Sequence, residues 1–158
     1  MKGRGSRDDQ RGATAVEFAL VMLPLVFLVF GIIQYGLYFY STQTGTYAVQ
    51  QGARRLSVGD CTSTPALKGF LHDKLSNGAT TASESALSPQ IKWQHTSADG
   101  TVTDVTQATA VVGDSVTLSL TYPALNMNFP YIPLPNDGDV VRSSTAMVED
   151  TISSGTCS

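Results

Sequence analysis

The chain has 158 residues, of which 42% are apolar and 15% are charged, and its formal net charge is −3. A chain of this length is expected to form about one domain. Its charged fraction lies below the roughly 25% usual for soluble globular proteins, so part of the chain is unusually apolar. The acidic balance also argues against a nucleic-acid-binding protein, which would carry a basic surface.

An apolar run near the amino end accounts for the missing charge. Residues 18–40 contain no Asp, Glu, Lys, Arg or His, and only Gln34 among them is strongly polar. Roughly 20 such residues cross a hydrocarbon core about 30 Å thick, so we expect one transmembrane segment over 18–40. Four of the ten basic residues precede the run, which places the amino terminus in the cytoplasm and the remainder outside. Three tyrosines are expected near the outer interface, namely Tyr35, Tyr38 and Tyr40.

The first third of the chain divides into a leader and a long helix. Residues 1–12 are polar, basic and without periodicity, and we expect them to be a disordered leader peptide. Residues 13–56 are expected to form one helix, with a bend near Pro24 because proline lacks the amide donor. Beyond residue 40 small residues continue at helical spacing, and they would let another helix approach closely. With Pro24 in the membrane half, the expected helix-packing positions are Pro24, Gly45, Ala48 and Gly52.

Residues 57–158 are expected to form a small α+β domain on the far side of the membrane. A short helix is predicted with Thr64 as its cap, Pro65 in the first position, and an end at residues 77–78. From residue 90 the periodicity becomes two, which indicates antiparallel strands, with Asp99 and Gly100 in a hairpin turn. The clearest strand covers residues 116–122, a Pro-rich loop follows, and residues 139–149 are expected to return as the last strand.

Cys61 and Cys157 lie at opposite ends of this second part. In an oxidising compartment we expect them to form a disulfide. Closing a loop of about 100 residues would stabilise the fold by about 4 to 5 kcal/mol in the chain-entropy model. The alternative is a pair of unbonded structural thiols.

Glu17 is a carboxylate beside a segment expected to lie in lipid, where a charge costs a few kcal/mol unless it finds a partner. Cleavage between Gly12 and Ala13 would create an α-amino group nearby, which is positive at neutral pH. Glu17 of one subunit would then neutralise the amino terminus of a neighbour and set the register of assembly. The alternative is that Glu17 lies at the cytoplasmic interface and interacts with the helix dipole.

The amino-terminal segment resembles that of a known family. Residues 11–20 read RGATAVEFAL, residues 23–25 read LPL, and residues 51–54 read QGAR. Together they resemble the TadE-like pseudopilins, or minor pilins, of the Tad (tight adherence) pilus system, a branch of the type IV filament superfamily. Residues 116–123 and 144–149 are similar to the second half of such proteins. The related TadF-like proteins are a neighbouring alternative.

The resemblance implies that a membrane-embedded prepilin peptidase removes residues 1–12, with Gly12 before the scissile bond and Ala13 after it. Glu17, followed by Phe18, would be the acidic residue required for processing or assembly. Implied partners are the peptidase, other minor and major pilins, the inner-membrane assembly platform and membrane lipid. The chain is much longer than a major Tad pilin, which favours a minor or initiating subunit of an adhesive pilus.

The sequence shows no set of residues that we would expect to carry out catalysis. His72 and His95 stand apart, and neither has a cysteine or second histidine at metal-ligand spacing. A calcium loop at Asp137 and Asp139 would need further oxygen ligands, so we interpret the pair as a solvated turn. Trp93 and Tyr122 are interpreted as core residues. We therefore expect no metal, no cofactor and no catalytic residue.

The apolar run has two other interpretations. One is an uncleaved signal anchor that displays an extracytoplasmic binding domain. The other is a secretory signal that releases a soluble domain, which is disfavoured because no Ala-x-Ala-like site follows the apolar run. The preferred interpretation is a single-pass pilin-like subunit of the cytoplasmic membrane that is cleaved and then added to a surface pilus.

Overall fold

The computed structural model describes residues 8–61, 63–129 and 131–150, and for residues 8–11 only the backbone. Helix α1 runs over Asp8–Ser57 and helix α2 over Thr64–Leu75. The four strands are β1 (Ser88–Thr96), β2 (Val102–Val105), β3 (Ser115–Pro123) and β4 (Asp139–Met147). Short 3₁₀ helices cover Glu84–Ala86, Gln107–Thr109 and Pro135–Gly138. The predicted α+β fold, a long amino-terminal apolar helix followed by a small antiparallel sheet, is confirmed.

Helix α1 is continuous through Pro24, and its 50 residues correspond to about 75 Å. It begins before the predicted start at residue 13, since residues 8–12 are helical and not irregular. The rest of the predicted leader lies outside the described residues. Proline is tolerated in this helix because only one intrahelical hydrogen bond is lost among many.

The sheet is antiparallel throughout, with strand order β2-β1-β3-β4. Alternate residues of β3 are buried, as the period-two pattern predicts. In the register, Leu118 lies opposite Ile91 of β1 and Ser144 of β4. One sheet face therefore packs against the carboxyl-terminal half of α1, and the other is polar. The core includes leucines from three elements, among them Leu56, Leu71 and Leu120.

Helix α2 forms where it was predicted, but its cap differs. Ser63 occupies the N-cap position in an extended conformation, without a side-chain capping bond, so the expected cap at Thr64 is wrong. Pro65 fits within the first turn because that turn needs no amide donor from it. Leu67, Leu71 and Leu75 lie on its buried face.

The hairpin turn at Asp99 and Gly100 is confirmed, with Gly100 at a φ of +85° that favours glycine. Strand β2 was not predicted, because its four residues are mostly exposed and show no apolar alternation. Trp93 and Tyr122 are both buried in the core, as expected.

Candidate processing site and helix surface

The residues predicted for cleavage and assembly lie on the exposed amino-terminal half of α1. Gly12, Ala13, Glu17 and Phe18 are all exposed. Ala13 and Glu17 are four positions apart in the sequence, so they lie on the same side of the helix, one turn apart. Glu17 is also the only charged residue between residues 13 and 53. A new amino terminus at Ala13 would thus lie beside the one acid of the apolar helix.

This half of α1 has the length and composition of a membrane span. Residues 12–29 are all exposed, including Pro24, and Phe30 is the first residue after them that is partly covered. An 18-residue apolar surface of this kind is not left in water by a soluble protein without a partner. An apolar partner, lipid or other helices, is therefore needed around residues 12–29.

The carboxyl-terminal half of α1 packs against the domain of its own chain. Gly45, Ala48 and Gly52 are buried inside the chain's own fold. A Cβ at Gly45 would overlap Tyr122 of β3, and one at Gly52 would lie 2.6 Å from Leu118 and 3.5 Å from Leu71 of α2. The small residues thus admit the sheet, and at Gly52 also α2. Within the chain the domain therefore covers these positions, and a contact with the helix of another subunit stays a prediction.

Gln34, the one strongly polar residue of the apolar run, is buried and hydrogen-bonded to the domain. Its side chain is 1% exposed. Its Nε2 donates to Oδ1 of Asn126 at 2.7 Å, and its Oε1 accepts from the backbone amide of Met127 at 3.2 Å. Both partners belong to the loop between β3 and β4. A lone glutamine in the run, read together with Asn126 and Asn128 in a loop without charged residues from 124 to 136, was the available sequence signal.

The tyrosines expected at the outer interface bind the domain. The Tyr35 hydroxyl donates to the carbonyl of Pro133 at 2.9 Å, and that of Tyr40 to the carbonyl of Asn77 at 3.2 Å. Phe30 stacks on Phe129, with ring centroids 4.2 Å apart. Several residues in the last part of the predicted span 18–40 therefore contact the domain that follows α1. The limits of the span remain a prediction.

Cys61 is buried at the end of the turn that follows α1. Its predicted partner, Cys157, lies outside the described residues, so the disulfide stays a prediction.

A buried carboxylate, Asp114, lies in the turn before β3 and pairs with His95 of β1. His95 Nδ1 and Asp114 Oδ1 are 2.5 Å apart, and the Asp114 side chain is only 2% exposed. The backbone amide of Val111 donates to the other carboxylate oxygen at 2.9 Å. The hydrogen bond from Val111, followed by that from His95, holds the pKa of Asp114 below its usual value against the opposing effect of burial. The pair ties β1 to the turn before β3, and His95 is thereby a structural residue.

Within the described part of the chain, no three His, Cys, Asp or Glu side chains are grouped as metal ligands would be. Asp137 lies in an exposed turn with a φ of 53°. The exposed helix remains the candidate site.

Comparison with known proteins gives one result for this helix. The family model described as TadE-like protein matches residues 12–54. The match begins at the predicted cleavage glycine and ends shortly before α1 does. No curated protein and no solved structure matches the chain.

Proposed function

We propose, from the premise that its long helix is that of a TadE-like protein, that this chain is a minor pilin of a Tad pilus. The family match indicates a Tad-system, pilus-related protein with an amino-terminal membrane-anchor helix. In the proposal the amino terminus is cytoplasmic and the α+β domain lies outside the membrane. A prepilin peptidase removes residues 1–12, and the mature chain joins or initiates the filament.

The observation that carries the proposal is the exposed apolar surface of residues 12–29 with a single acid, Glu17, one turn from Ala13. In the membrane this surface is covered by lipid, and in a filament the helices of other subunits replace the lipid. A carboxylate in such surroundings requires a positive partner. The α-amino group of the same chain is too close in sequence to pair easily with Glu17 along the helix. That of a neighbouring mature subunit, stacked with an axial offset, therefore supplies the charge, and Glu17 sets the axial register between subunits.

The continuity of α1 favours this fate over a released soluble domain. Cleavage beyond about residue 40 would remove Gln34 and Tyr35, which bind the β3–β4 loop. It would also leave the polar groups of the loop that now form hydrogen bonds with the helix without these partners. An uncleaved signal anchor keeps these contacts, so the position of the mature amino terminus separates it from the pilin.

Amino-terminal sequencing of the protein recovered from membranes tests the proposal. We expect the mature chain to begin at Ala13. The Gly12→Leu variant should keep residues 1–12, because a side chain before the scissile bond would obstruct the peptidase. Gly5→Leu, which alters a glycine elsewhere in the leader, is the matched control and should be cleaved normally.

A wild-type chain that begins at Met1 or Lys2 would establish the signal anchor instead. Normal processing of Gly12→Leu would contradict the peptidase assignment.

A further inference from the structure

The loop between β3 and β4 is unusual in length and composition. It covers the 15 residues 124–138. Loops longer than about 12–15 residues with little regular structure are uncommon in compact domains and often functional. From 124 to 136 the loop contains no Asp, Glu, Lys, Arg or His. A surface loop in water would normally be polar, so this composition indicates other surroundings.

The loop binds α1 at the point where its exposed residues, 12–29, end. Gln34 binds its Asn126, Tyr35 binds the carbonyl of Pro133, and Phe30 stacks on Phe129. On the amino-terminal side of Phe30, residues 12–29 are exposed. The loop therefore contacts α1 directly after its exposed apolar half.

Two of its large side chains are exposed to different extents. The Tyr131 side chain is 92% exposed, and that of Met127 is 49% exposed. Tyr131 also has a φ of 68°, which is uncommon for a residue with a side chain. The fold thus leaves an aromatic side chain exposed two residues after Phe129, which stacks on α1, and among uncharged neighbours in the sequence.

Distances along α1 place the loop at the edge of the membrane. At about 1.5 Å per residue, Phe30 lies about 26 Å from Ala13 and Gln34 about 32 Å. A hydrocarbon core about 30 Å thick that begins near Ala13 therefore ends between these two residues. A core starting at residue 18 would extend to about residue 38 and would immerse the backbone of the loop in hydrocarbon, where its polar groups lack partners.

We infer that the β3–β4 loop rests in the outer lipid interface, with Tyr131 and Met127 inserted among the headgroups. The hydrocarbon-spanning part of α1 is then about residues 12–33, shifted toward the amino end from the predicted 18–40. Tyrosine suits this layer because its ring is apolar and its hydroxyl stays hydrated. The loop and the helix together fix the orientation of the domain on the membrane. This inference needs only the membrane anchor and does not depend on cleavage or pilus assembly.

Fluorescence quenching in vesicles tests the inference. The full chain is reconstituted into phosphatidylcholine vesicles containing lipids brominated either near the headgroup or deep in the acyl chain. Tyr131→Trp is compared with Val112→Trp, an exposed position near the carboxyl-terminal end of α1. The native Trp93 is buried in the sheet, so the wild-type chain supplies the background signal.

We expect Tyr131→Trp to be quenched at least about twofold more than Val112→Trp, and more by the shallow than by the deep bromines. Met127→Trp should behave like Tyr131→Trp, and it provides a second probe should the first variant fold poorly. Equal quenching at residues 131 and 112, with the protein floating with the vesicles, would overturn the inference and leave the anchor intact. A probe at residue 131 that is shielded from water but is not quenched by bromine would mean that another copy of the protein covers the loop. That result would also overturn the inference. Failure of the wild-type chain to float with vesicles would refute the anchor itself.

Discussion

The ring of Tyr122 on β3 occupies the space that a side chain at Gly45 of α1 would fill. A Cβ built on Gly45 would lie 2.7 Å from Cζ of that ring. The Tyr122 hydroxyl donates to the backbone carbonyl of Ser41, one turn earlier in the same helix. Burial raises the pKa of this hydroxyl to about 12. This contact joins the sheet to the helix.

Gly45→Ala should lower the free energy of unfolding by about 1–3 kcal/mol, because the added methyl displaces a buried ring. Gly36→Ala is the matched control, since a Cβ there meets open space. In the control, helix propensity alone predicts an unchanged value or a gain of about 0.5–1 kcal/mol. Urea unfolding of the full chain in detergent, followed by near-ultraviolet circular dichroism, measures both. Equal stability of the two variants would contradict the packing described for Tyr122.

The pair formed by Asp114 and His95 predicts a dependence of stability on pH. Because folding lowers the pKa of Asp114, its contribution is present above the unfolded pKa of about 3.9. That contribution is lost as the pH falls through the folded pKa. Asp114→Asn should therefore flatten the fall in melting temperature below pH 5 and cost about 1–3 kcal/mol at neutral pH.

The His95→Ala variant distinguishes the contributions of the two hydrogen-bond donors to Asp114. It keeps the hydrogen bond from Val111, which is the larger cause of the lowered pKa, so most of the acid sensitivity should remain. Melting curves of the wild type and both variants between about pH 3 and 7 provide the comparison. If Asp114→Asn retained the full acid sensitivity, the carboxylate would not be its source.

Glu17→Ala should insert in the membrane and be cleaved after Gly12, yet enter pili at a level at least about tenfold lower. An unpaired terminal amine in the helix bundle costs a few kcal/mol, and about 1.4 kcal/mol already corresponds to a tenfold change. Val16→Ala, one residue earlier, alters apolar area without removing charge and should assemble normally. Immunoblots of sheared pilus and membrane fractions measure the ratio. Wild-type incorporation of Glu17→Ala would exclude the register function.

Alkylation under native conditions tests the predicted bond between Cys61 and Cys157. We expect both cysteines to resist alkylation until reductant is added, and a Cys157→Ser variant to lose about 2–5 kcal/mol of stability. Mass spectrometry of denatured but unreduced protein separates a bond from simple burial of Cys61. Labelling of both residues in that sample would show that they are free thiols.

The amino-acid pattern alone was sufficient for the long helix, the short helix, three of the four strands and the hairpin turn. Each of these has a local cause, such as the apolar period of 3.6 or 2, the Asp-Gly turn, or prolines that interrupt pairing. The family resemblance at residues 12–54 was also visible, because it depends on a contiguous segment. Strand β2 was missed because its residues have little apolar character of their own and gain their order from pairing with β1.

Which partner each helix position meets was decided only by the tertiary structure. Small residues at Gly45, Ala48 and Gly52 indicate a close approach, but they do not specify whether a sheet or another helix approaches. Gln34 was an isolated polar residue until the fold brought Asn126, 92 positions away, within 2.7 Å of it. Periodicity reports the side of an element that is buried, whereas contacts between distant segments depend on how the whole chain packs.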